Sequence, residues 1–398
     1  MAKNYFVSVT DALSIIFRTI KSGHVKEILT SDATGYVLAK AIINPYPSPP
    51  FDQSAMDGYA FRFNDFKSGR KIVITGESAA GENFIGKIAS GQSVRIFTGA
   101  AVPPGADTIV MQEKVELNNS AIIIRDDKLL KGANIRKAGS QLKKGIIAAD
   151  KGVLFKPGAV GYIAGLGIKI VSVYSKPVVS VIVTGDELIS PDQELGPGQI
   201  FESNSAALCS LLQNDGINNI KCFRVKDSLK STGNIFRKAL LQSDMILFTG
   251  GVSVGDYDFV IKTMESEKVK TGFYKVRQKP GKPLYFGIKE KKYVFGLPGN
   301  PASVLSCYYE YVRPAINAFQ NNPHPAPVAL SLPLASPVQK KVGLANYLKA
   351  YTDFKTVTPL SDQESYKMKS FISANCFIFL DEKTENKNIN DLVEVHLF

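Results

Sequence analysis

The pattern of apolar positions changes at Pro177. The stretch PVVSVIVTGDEL is a near-continuous β-branched run, which is typical of a strand buried on both faces. SNSAALCSLLQNDG follows with helical spacing, with Asn204 as its predicted cap and Gly216 as its stop. Strands and helices then alternate as INNIKCFRV, LKSTGNIFRKALLQ, SDMILFTGG, DYDFVIKTMES, KYVFGLPG and NPASVLSCYYEYVRPAINAF. This strict alternation predicts a multidomain α/β protein built on a doubly wound, mostly parallel sheet.

The remaining segments have other patterns. An amphipathic helix is predicted near the N-terminus from the spacing of Leu13, Ile16, Phe17 and Ile20. Between residues 51 and 150, KIVITG, SVRIFTG, DTIVMQ and AIIIRD are typical of short strands and predict a small β-rich domain. Residues 338–398 are strand-rich and are expected to close into a small barrel. The proline-rich breaks NPYPSPPFD and NNPHPAPVALSLPLASP mark predicted domain boundaries.

Composition and charge narrow the function classes. The chain has 398 residues, 44% of them hydrophobic and 21% charged, which excludes global disorder. Its net charge of +12 is compatible with an anionic partner, either nucleic acid or a small phosphorylated substrate, although most of the 48 Lys and Arg residues are expected only to solvate the surface. Helix-turn-helix, zinc-finger and RNP-like aromatic motifs are missing from the sequence, so we predict no nucleic-acid partner.

Cysteines, histidines and hydropathy indicate the compartment and the chemistry. The four cysteines are widely spaced without a CxxC pair, which argues against a disulfide framework and for a reducing cytoplasm. No apolar run approaches the roughly 18 residues of a membrane helix, and the N-terminus lacks the apolar core of a signal peptide. We therefore predict a cytoplasmic protein without membrane contact. With only three scattered histidines, its chemistry is expected to use carboxylates, lysines and backbone dipoles.

Four turns with small or polar residues follow predicted strands of the α/β region. They are TGDEL, VKDS, TGGVSVGDYD and GLPGNPAS. Ligands of open parallel sheets bind at the carboxyl ends of the strands. The sequence therefore predicts that these four turns converge on one ligand site.

The segment LFTGGVSVGDYDF is the most informative of these turns. Gly250 and Gly251 allow a sharp turn that aims amides at an oxyanion, and the following helix N-terminus adds partial positive charge. Asp256 and Asp258 suit a hard cation such as Mg²⁺. A tight turn with a helix-capping aspartate explains the same residues, so both interpretations stay open on the residues alone.

The segment GLPGNPASV opens a predicted helix. Asn300 is its expected cap and Pro301 takes the favoured first helical position. Ser303 lies in the first turn, where its hydroxyl and the free amides suit an oxyanion. Simple helix initiation also explains these residues.

The stretch YKVRQKPGKPLYFG concentrates positive charge. It places four cations within eight residues: Lys275, Arg277, Lys279 and Lys282. Proline and glycine restrict its backbone geometry, which reduces the entropy that the lysines lose when they bind a ligand. We predict that this stretch forms the positive wall of an oxyanion pocket, anchored by LYFG as a strand.

Six segments together resemble the molybdopterin molybdenumtransferases, the MoeA family that includes the E domain of gephyrin. The segments are FDQSAMDGYAFR, RIFTGAAVPPGADTIVMQE, VTGDEL, FTGGVSVGDYDF, KPGKPLYFG and GLPGNPASV. They occur in the family's order over nearly the whole chain, which makes the resemblance specific.

The resemblance implies an enzyme that inserts molybdate into adenylylated molybdopterin and releases AMP, assisted by Mg²⁺ or Zn²⁺. It implies a homodimer in which the β-rich domain of one subunit completes the site of the other, with molybdopterin adenylyltransferase as an upstream partner. The implied domains are a connecting domain (28–45 and 145–177), a β-rich domain (46–144), a molybdopterin-binding α/β domain (1–27 and 178–323) and a C-terminal β domain (324–398).

The resemblance also implies roles for individual residues. Catalytic roles fall to Asp258, Asp227, Glu187, Lys275 and Lys279, with Asp57 and Thr98 lent by the partner subunit. Substrate binding falls to Gly250, Gly251, Ser253, Lys282, Pro283, Pro298, Gly299, Asn300 and Ser303. Asp258 and Asp256 are implied to hold the metal.

The chain departs from the family at one strand of the last domain. The family has an arginine-rich strand where this chain has GLANYLKA, with Leu344 and Lys349 at the arginine positions. A lysine supplies charge but lacks the fork of the guanidinium group. Ser365, in QES, is the implied counterpart of a family serine near the molybdate.

Two other functions fit parts of the sequence. A molybdopterin adenylyltransferase-like enzyme would share the α/β fold, but that family is a single small domain without the SAMDGYA region. A non-catalytic, gephyrin-like scaffold would share all the domains, but such scaffolds normally carry an additional adenylyltransferase domain and a long linker.

Overall fold

The central sheet of the α/β domain has six strands. The structure is a computed structural model that describes residues 6–252 and 259–398. Across the sheet the strands lie in the order Ile220–Val225, Val179–Thr184, Met245–Thr249, Lys292–Leu297, Tyr285–Lys289 and Lys270–Tyr274. The first four strands are parallel and the last two pair antiparallel. The predicted mostly parallel sheet is confirmed, and its antiparallel edge is an addition to that prediction.

Helices cover both faces of this sheet. They are Val9–Thr19, Asn204–Asn214, Leu229–Gln242, Phe259–Ser266, Pro301–Cys307 and Arg313–Phe319. Val181 packs in one apolar core with Leu208 and Val304. The next residue, Ile182, packs in a second core with Phe236. Both faces of this strand are therefore buried, as its β-branched composition predicts.

The last predicted helix of the α/β domain is interrupted in the structure. A π-helical turn, Tyr308–Val312, separates Pro301–Cys307 from Arg313–Phe319. Pro314 has no amide hydrogen to donate to the carbonyl of Glu310, four residues earlier, so the α-helical hydrogen bonds cannot continue there. The predicted helix is present over residues 301–319, and the π-helical turn is a local departure from its α-helical hydrogen bonding.

The β-rich domain contains a second six-stranded sheet. Its strands lie in the order Thr108–Met111, Gly58–Phe61, Gln92–Ile96, Ile72–Ser78, Ala121–Ile124 and Val115–Asn118. The short helix Phe63–Lys67 and the 3₁₀ turn Gln112–Lys114 complete the domain. The four strands that the sequence predicts are all present in this sheet.

Short strand pairs connect the β-rich domain to the α/β domain. They are Val25–Leu29 with Ile170–Tyr174, Ile42–Ile43 with Ile147–Ala149, and Gln53–Ser54 with Ile135–Arg136. The 3₁₀ turn Thr30–Asp32 and the helix Pro157–Gly165 belong to the same region, where Leu38, Phe155 and Ile163 form a core. The exact domain boundaries stay a prediction.

The C-terminal domain is a ring of strands. Ala329–Pro333, Leu392–Leu397, Cys376–Leu380, Ala345–Thr352 and Val357–Pro359 pair in that order. A bridge between Leu334 and Val357 returns to the start of the ring, so the domain is barrel-like, as predicted. The pair Val338–Gln339 with Asn386–Lys387 and the 3₁₀ turn Lys369–Ile372 lie at its periphery.

The α/β and C-terminal domains are joined by main-chain pairing and by a shared core. Gln278–Lys279 pairs in parallel with Ala345 and Asn346, and Tyr347 belongs to the same apolar cluster as Val304. The basic stretch is thus attached to both domains. Within the described residues, no helix combines the length and the apolar character needed to span a bilayer.

Candidate active site

Four strand ends of the central sheet open onto one cavity of about 530 Å³, which we call the first cavity. The strands are the four parallel ones, and the cavity lies at their carboxyl edge. Among its lining residues are Gly185, Glu187, Asp227, Gly250, Gly251, Pro298, Gly299 and Asn300. The structure therefore brings together the turns that the sequence predicts to converge, while the chemical roles of their residues stay predictions.

Gly250 and Gly251 form a turn that requires glycine. Their φ angles are +90° and +61°, which other residues rarely adopt. A Cβ atom on Gly250 would lie only 2.5 Å from the carbonyl oxygen of Thr184. The main chain of this turn therefore approaches the neighbouring strand end more closely than a side chain would allow. Ser253, which the resemblance places next to this turn, lies outside the described residues.

Asn204 joins two of the strand ends, a role that the sequence did not reveal. Its Nδ2 donates to Thr249 Oγ1 at 2.9 Å and to the Gly299 carbonyl at 2.8 Å. The predicted capping role is wrong, because Ser203 holds the cap position and Asn204 bonds the strand-end turns instead. The only signal was a polar residue at the start of an apolar helix, which ordinary helix caps also give.

Carboxylates line one side of the first cavity. Glu187 and Asp227 line it, and Asp186 accepts a hydrogen bond from the Asp227 amide at 3.2 Å. Burial, together with the charges of Asp186 and Glu187, raises the pKa of Asp227. Groups of three metal-ligating side chains are not found in the part of the chain that the structure describes. The predicted metal ligands, Asp256 and Asp258, lie outside that part.

Replacing Asp227 with asparagine is expected to raise the free energy of unfolding at neutral pH. Because the folded pKa is raised, the carboxyl stabilises the fold below its unfolded pKa, and this contribution is lost as the pH rises through the folded pKa. Asparagine removes the repulsion that the ionised form experiences. Urea denaturation at about pH 7 and about pH 3 measures the difference, which should shrink at the lower pH, where both states are protonated.

Asp353→Asn is the matched control, for which we expect the opposite change in the free energy of unfolding. Backbone amides of Thr356 and Lys355 bond the Asp353 carboxylate and lower its pKa. Neutralising this exposed side chain is therefore expected to lower stability at neutral pH. A gain in both variants, or no gain in Asp227→Asn, would contradict the electrostatic explanation.

The basic stretch lines a second cavity of about 470 Å³ that adjoins the first. Lys279 and Lys282 line it with exposed side chains, and Ser303 and Ser365 lie on its wall. Neither lysine forms an ion pair with another described residue. The two cavities share four lining residues: Pro283, Pro298, Gly299 and Asn300. A cationic cavity therefore lies directly beside a cavity that carries carboxylates and glycine turns.

Gln278 holds the basic stretch from within the core. It is 1% exposed, and its Nε2 donates to the carbonyl oxygens of Pro280 at 3.1 Å and Gly281 at 3.2 Å. The Tyr311 hydroxyl donates to its Oε1. Gly281 has φ +85°, and a Cβ atom there would lie 2.6 Å from Cys307 Sγ. The conformation of the KPGKP segment is thus held by contacts with buried side chains, and the sequence did not reveal these contacts.

Ser365 of the C-terminal domain accepts hydrogen bonds at the N-terminus of the helix that begins at Pro301. The Ala302 amide donates to the Ser365 carbonyl at 3.1 Å. Asn300 is at the cap position, but its Nδ2 donates to Ser365 Oγ at 2.8 Å instead of capping the helix. The expectation of free amides is therefore wrong at Ala302. Ser303 is 3% exposed.

Among the predicted site residues that the structure describes, three line neither cavity. The Lys275 ammonium lies over the Tyr274 ring, 5.0 Å from its centroid. Asp57 accepts hydrogen bonds from the Thr98 amide at 2.7 Å and the Thr98 hydroxyl at 2.8 Å, which lower its pKa. The resemblance assigns Asp57 and Thr98 to the site of the partner subunit. Their position within a single chain does not test that assignment, which stays a prediction.

A buried acid–base pair joins the π-helical turn to the C-terminal domain. Glu310 is 1% exposed, and its Oε2 lies 2.7 Å from His396 Nδ1. His396 Nε2 lies 2.7 Å from Glu394 Oε1. Burial opposes the charge of His396, but its hydrogen bonds to the two carboxylates outweigh that effect and raise its pKa to about 9. A charged imidazolium thus bridges carboxylates of both domains.

Family profiles match nearly the whole chain. The "MoeA N-terminal region (domain I and II)" matches residues 7–167. The "probable molybdopterin binding domain" matches residues 180–318 and contains the doubly wound sheet. The "MoeA C-terminal region (domain IV)" matches residues 331–398. Fold and site together thus define a multidomain protein of the MoeA class.

Individual relatives agree with these profiles. The molybdopterin molybdenumtransferase of Haemophilus influenzae is 33% identical over 92% of this chain and 92% of its own length. That of Staphylococcus epidermidis RP62A is 31% identical over 98% of this chain and 95% of its own. The crystal structure of the molybdopterin biosynthesis MoeA protein from Pyrococcus horikoshii OT3 aligns at a TM-score of 0.84 with 27% identity, covering 99% of this chain and 100% of that one. The chain belongs to the molybdopterin molybdenumtransferase family.

Proposed function

We propose that the protein inserts molybdate into adenylylated molybdopterin with release of AMP, giving Mo-molybdopterin. The observation that carries this proposal is the pair of adjoining cavities, one at glycine-rich strand ends and one lined by Lys279 and Lys282. The names of the relatives support it. They also favour it over an adenylyltransferase-like enzyme and over a scaffold.

The two cavities address the main physical obstacle to this reaction. The phosphoanhydride of the substrate and the molybdate dianion repel each other, so holding them side by side requires fixed positive charge. Gly250 and Gly251 bring main chain to the first cavity, and the lysines bring cations to the second. The shared wall of Pro283, Pro298, Gly299 and Asn300 keeps the two anions adjacent, which lowers the entropic part of the barrier.

We further propose that a divalent cation, Mg²⁺ or Zn²⁺, assists the reaction. The donor set fits a hard cation, because the carboxylates of Glu187 and Asp227 line the first cavity, where burial and the charges of Asp186 and Glu187 raise the pKa of Asp227. Mg²⁺ usually takes one or two carboxylates together with substrate phosphates, so Asp256 and Asp258 would hold it. When bound, it would neutralise charge on the phosphoanhydride oxygens.

The proposed assembly is a cytoplasmic homodimer with a shared site. Asp57 and Thr98 form a hydrogen-bonded pair on the β-rich domain and line neither of the two cavities described above. We propose that they face the site of the second copy. The substrate would come from a molybdopterin adenylyltransferase, since that reaction makes the adenylylated pterin.

Purified protein incubated with adenylylated molybdopterin, molybdate and Mg²⁺ tests the proposed function. We expect AMP release that depends on molybdate and forms active cofactor. Mixtures without molybdate and without Mg²⁺ are the controls. Tight binding without turnover would instead identify a scaffold, and adenylylation of molybdopterin by ATP would identify an adenylyltransferase.

A further inference from the structure

The 361–368 loop of the C-terminal domain forms part of both cavities. It lies between the strand Val357–Pro359 and the 3₁₀ turn Lys369–Ile372. Tyr366 lines the first cavity, and Gln363 and Ser365 line the second. The geometry of this loop therefore affects both cavities at once.

Lys349 lies beneath the loop with its charge buried. The residue is 3% exposed and lines neither cavity. Its Nζ donates to the carbonyl oxygens of Asp362 and Lys367, the latter at 2.8 Å, and lies 3.5 Å from that of Glu364. A buried ammonium is costly unless its three donors are satisfied. Here three carbonyl oxygens of one loop converge on the ammonium group and accept its hydrogens.

The backbone of Lys349 holds the same loop. Its amide donates to Gln363 Oε1 at 2.9 Å, and Gln363 Nε2 donates to the Lys349 carbonyl at 2.8 Å. Asp362 adopts φ +58°, a conformation that non-glycine residues rarely take. The strand that carries Lys349 thus holds the loop in an uncommon backbone conformation.

The opposite side of the loop contacts the α/β domain. Ser365 accepts hydrogen bonds from the Ala302 amide and from Asn300 Nδ2. Tyr366 is 64% exposed, and Phe201, which also lines the first cavity, is 48% exposed. Exposed aromatic rings at a cavity suit the planar pterin or adenine ring of the proposed substrate, since such rings stack on aromatic side chains.

We propose that Lys349 is a positioning residue, whose buried ammonium fixes the 361–368 loop so that Ser365 and Tyr366 complete the two cavities. It is not an anion ligand, because its donors are used by the loop carbonyls. The C-terminal domain therefore contributes to the site through the shape of this loop.

Limited trypsin digestion of Lys349→Met tests this proposal, since Lys367 lies within the loop. Methionine keeps an unbranched stem but removes the donors. We expect cleavage after Lys367 to become about tenfold faster or more, the effect of losing a charge-assisted hydrogen bond on the population of the open loop. Lys349→Arg keeps a cation with several donors and should be cleaved at the rate of the unmodified protein.

Lys340→Met is the matched control. Lys340 is 8% exposed, and its Nζ donates to the Leu344 carbonyl at 2.9 Å, outside the 361–368 loop. It should leave cleavage after Lys367 unchanged. The proposal is overturned if Lys349→Met is cleaved like the unmodified protein, or if Lys349→Arg or Lys340→Met is cleaved as fast as Lys349→Met.

Hydrogen exchange of the unmodified protein provides a test that needs no variant. The Ala302 amide should exchange slowly, because it is bonded to the Ser365 carbonyl. Exchange at the rate of an unprotected amide would show that the loop is not docked and would overturn the proposal.

The catalytic consequence rests on the proposed function. Lys349→Met and Tyr366→Ala should each raise KM for adenylylated molybdopterin about tenfold while leaving kcat within about twofold, and Lys349→Arg should restore KM. An unchanged KM in Lys349→Met would overturn the positioning role. If even the unmodified protein shows no turnover, the proposed function fails, while the trypsin and exchange results still decide the role of Lys349.

Discussion

Replacing His396 with leucine is expected to lower the free energy of unfolding by about 3–5 kcal/mol, the usual cost of breaking a buried ion pair by removing one partner. The cost arises at Glu310, which without its cation must either stay ionised in the core or take up a proton there, since burial raises its pKa. Its second oxygen, Oε1, has no hydrogen-bond partner among the described residues even with His396 present. Urea denaturation followed by circular dichroism at about pH 6 measures the loss, since His396 is charged there.

The same pair predicts a pH dependence. The pKa of His396 is about 9 in the fold and about 6.5 in an unfolded chain. Its contribution to stability is therefore fully present below about pH 6.5 and is lost as the pH rises through 9. The difference between the unmodified protein and His396→Leu should narrow over that interval.

Two further variants separate the ion pair from a packing effect. Glu394→Gln removes the more exposed carboxylate, whose side chain is 52% exposed, and should cost no more than about 1 kcal/mol. The double variant His396→Leu with Glu310→Met replaces both buried charges and should regain most of the lost stability. A double variant as unstable as His396→Leu would show that the unpaired carboxylate is not the cause.

Replacing Lys279 with methionine is expected to lower kcat/KM for molybdate-dependent AMP release by about a hundred- to a thousandfold, as for other fixed groups that stabilise anionic charge. Lys279 lines the second cavity, and its backbone is held by pairing with Ala345 and Asn346. Because the side chain is exposed, the melting temperature should stay unchanged.

Lys341→Met is the matched control for Lys279→Met. Lys341 is an exposed lysine of the neighbouring domain that lines neither cavity, so the same loss of charge there should leave AMP release unchanged. Activity of Lys279→Met within about twofold of the unmodified protein would contradict the proposed anion site.

Mixed dimers extend this test to the proposed shared site. When Lys279→Met and Asp57→Asn chains are co-expressed, half of the dimers are mixed, and each mixed dimer has one intact site. About one quarter of the activity should therefore return. If none returns, Asp57 does not act across a dimer interface.

The sequence predicted those parts of the fold that depend on local patterns. Val179–Thr184 and Met245–Thr249 are β-branched or apolar runs between turns, so their burial on both faces follows from composition. The convergence of their turns follows from a general property of parallel sheets. In contrast, the π-helical turn depends on the single amide that Pro314 lacks.

The contacts that shape the site were not predictable in the same way. Asn204 bonds residues 45 and 95 positions away, and Glu310 pairs with a histidine 86 positions away. A hydrophobic pattern indicates which face of an element is buried, but it does not identify the partner of a buried polar group. Lys349 illustrates this limit, since the sequence places it only at a position where the family has an arginine, and its contacts are backbone carbonyls.

The parallel pairing of Gln278–Lys279 with Ala345 and Asn346 has a thermodynamic consequence. Because the barrel and the cationic wall share main-chain hydrogen bonds, any displacement of the barrel would move Lys279 with it. Anion affinity and barrel orientation are then linked functions: an anion that favours one orientation by a given factor is itself bound more tightly in that orientation by the same factor. An anion bound in the second cavity would therefore also stabilise the arrangement of the barrel against the α/β domain.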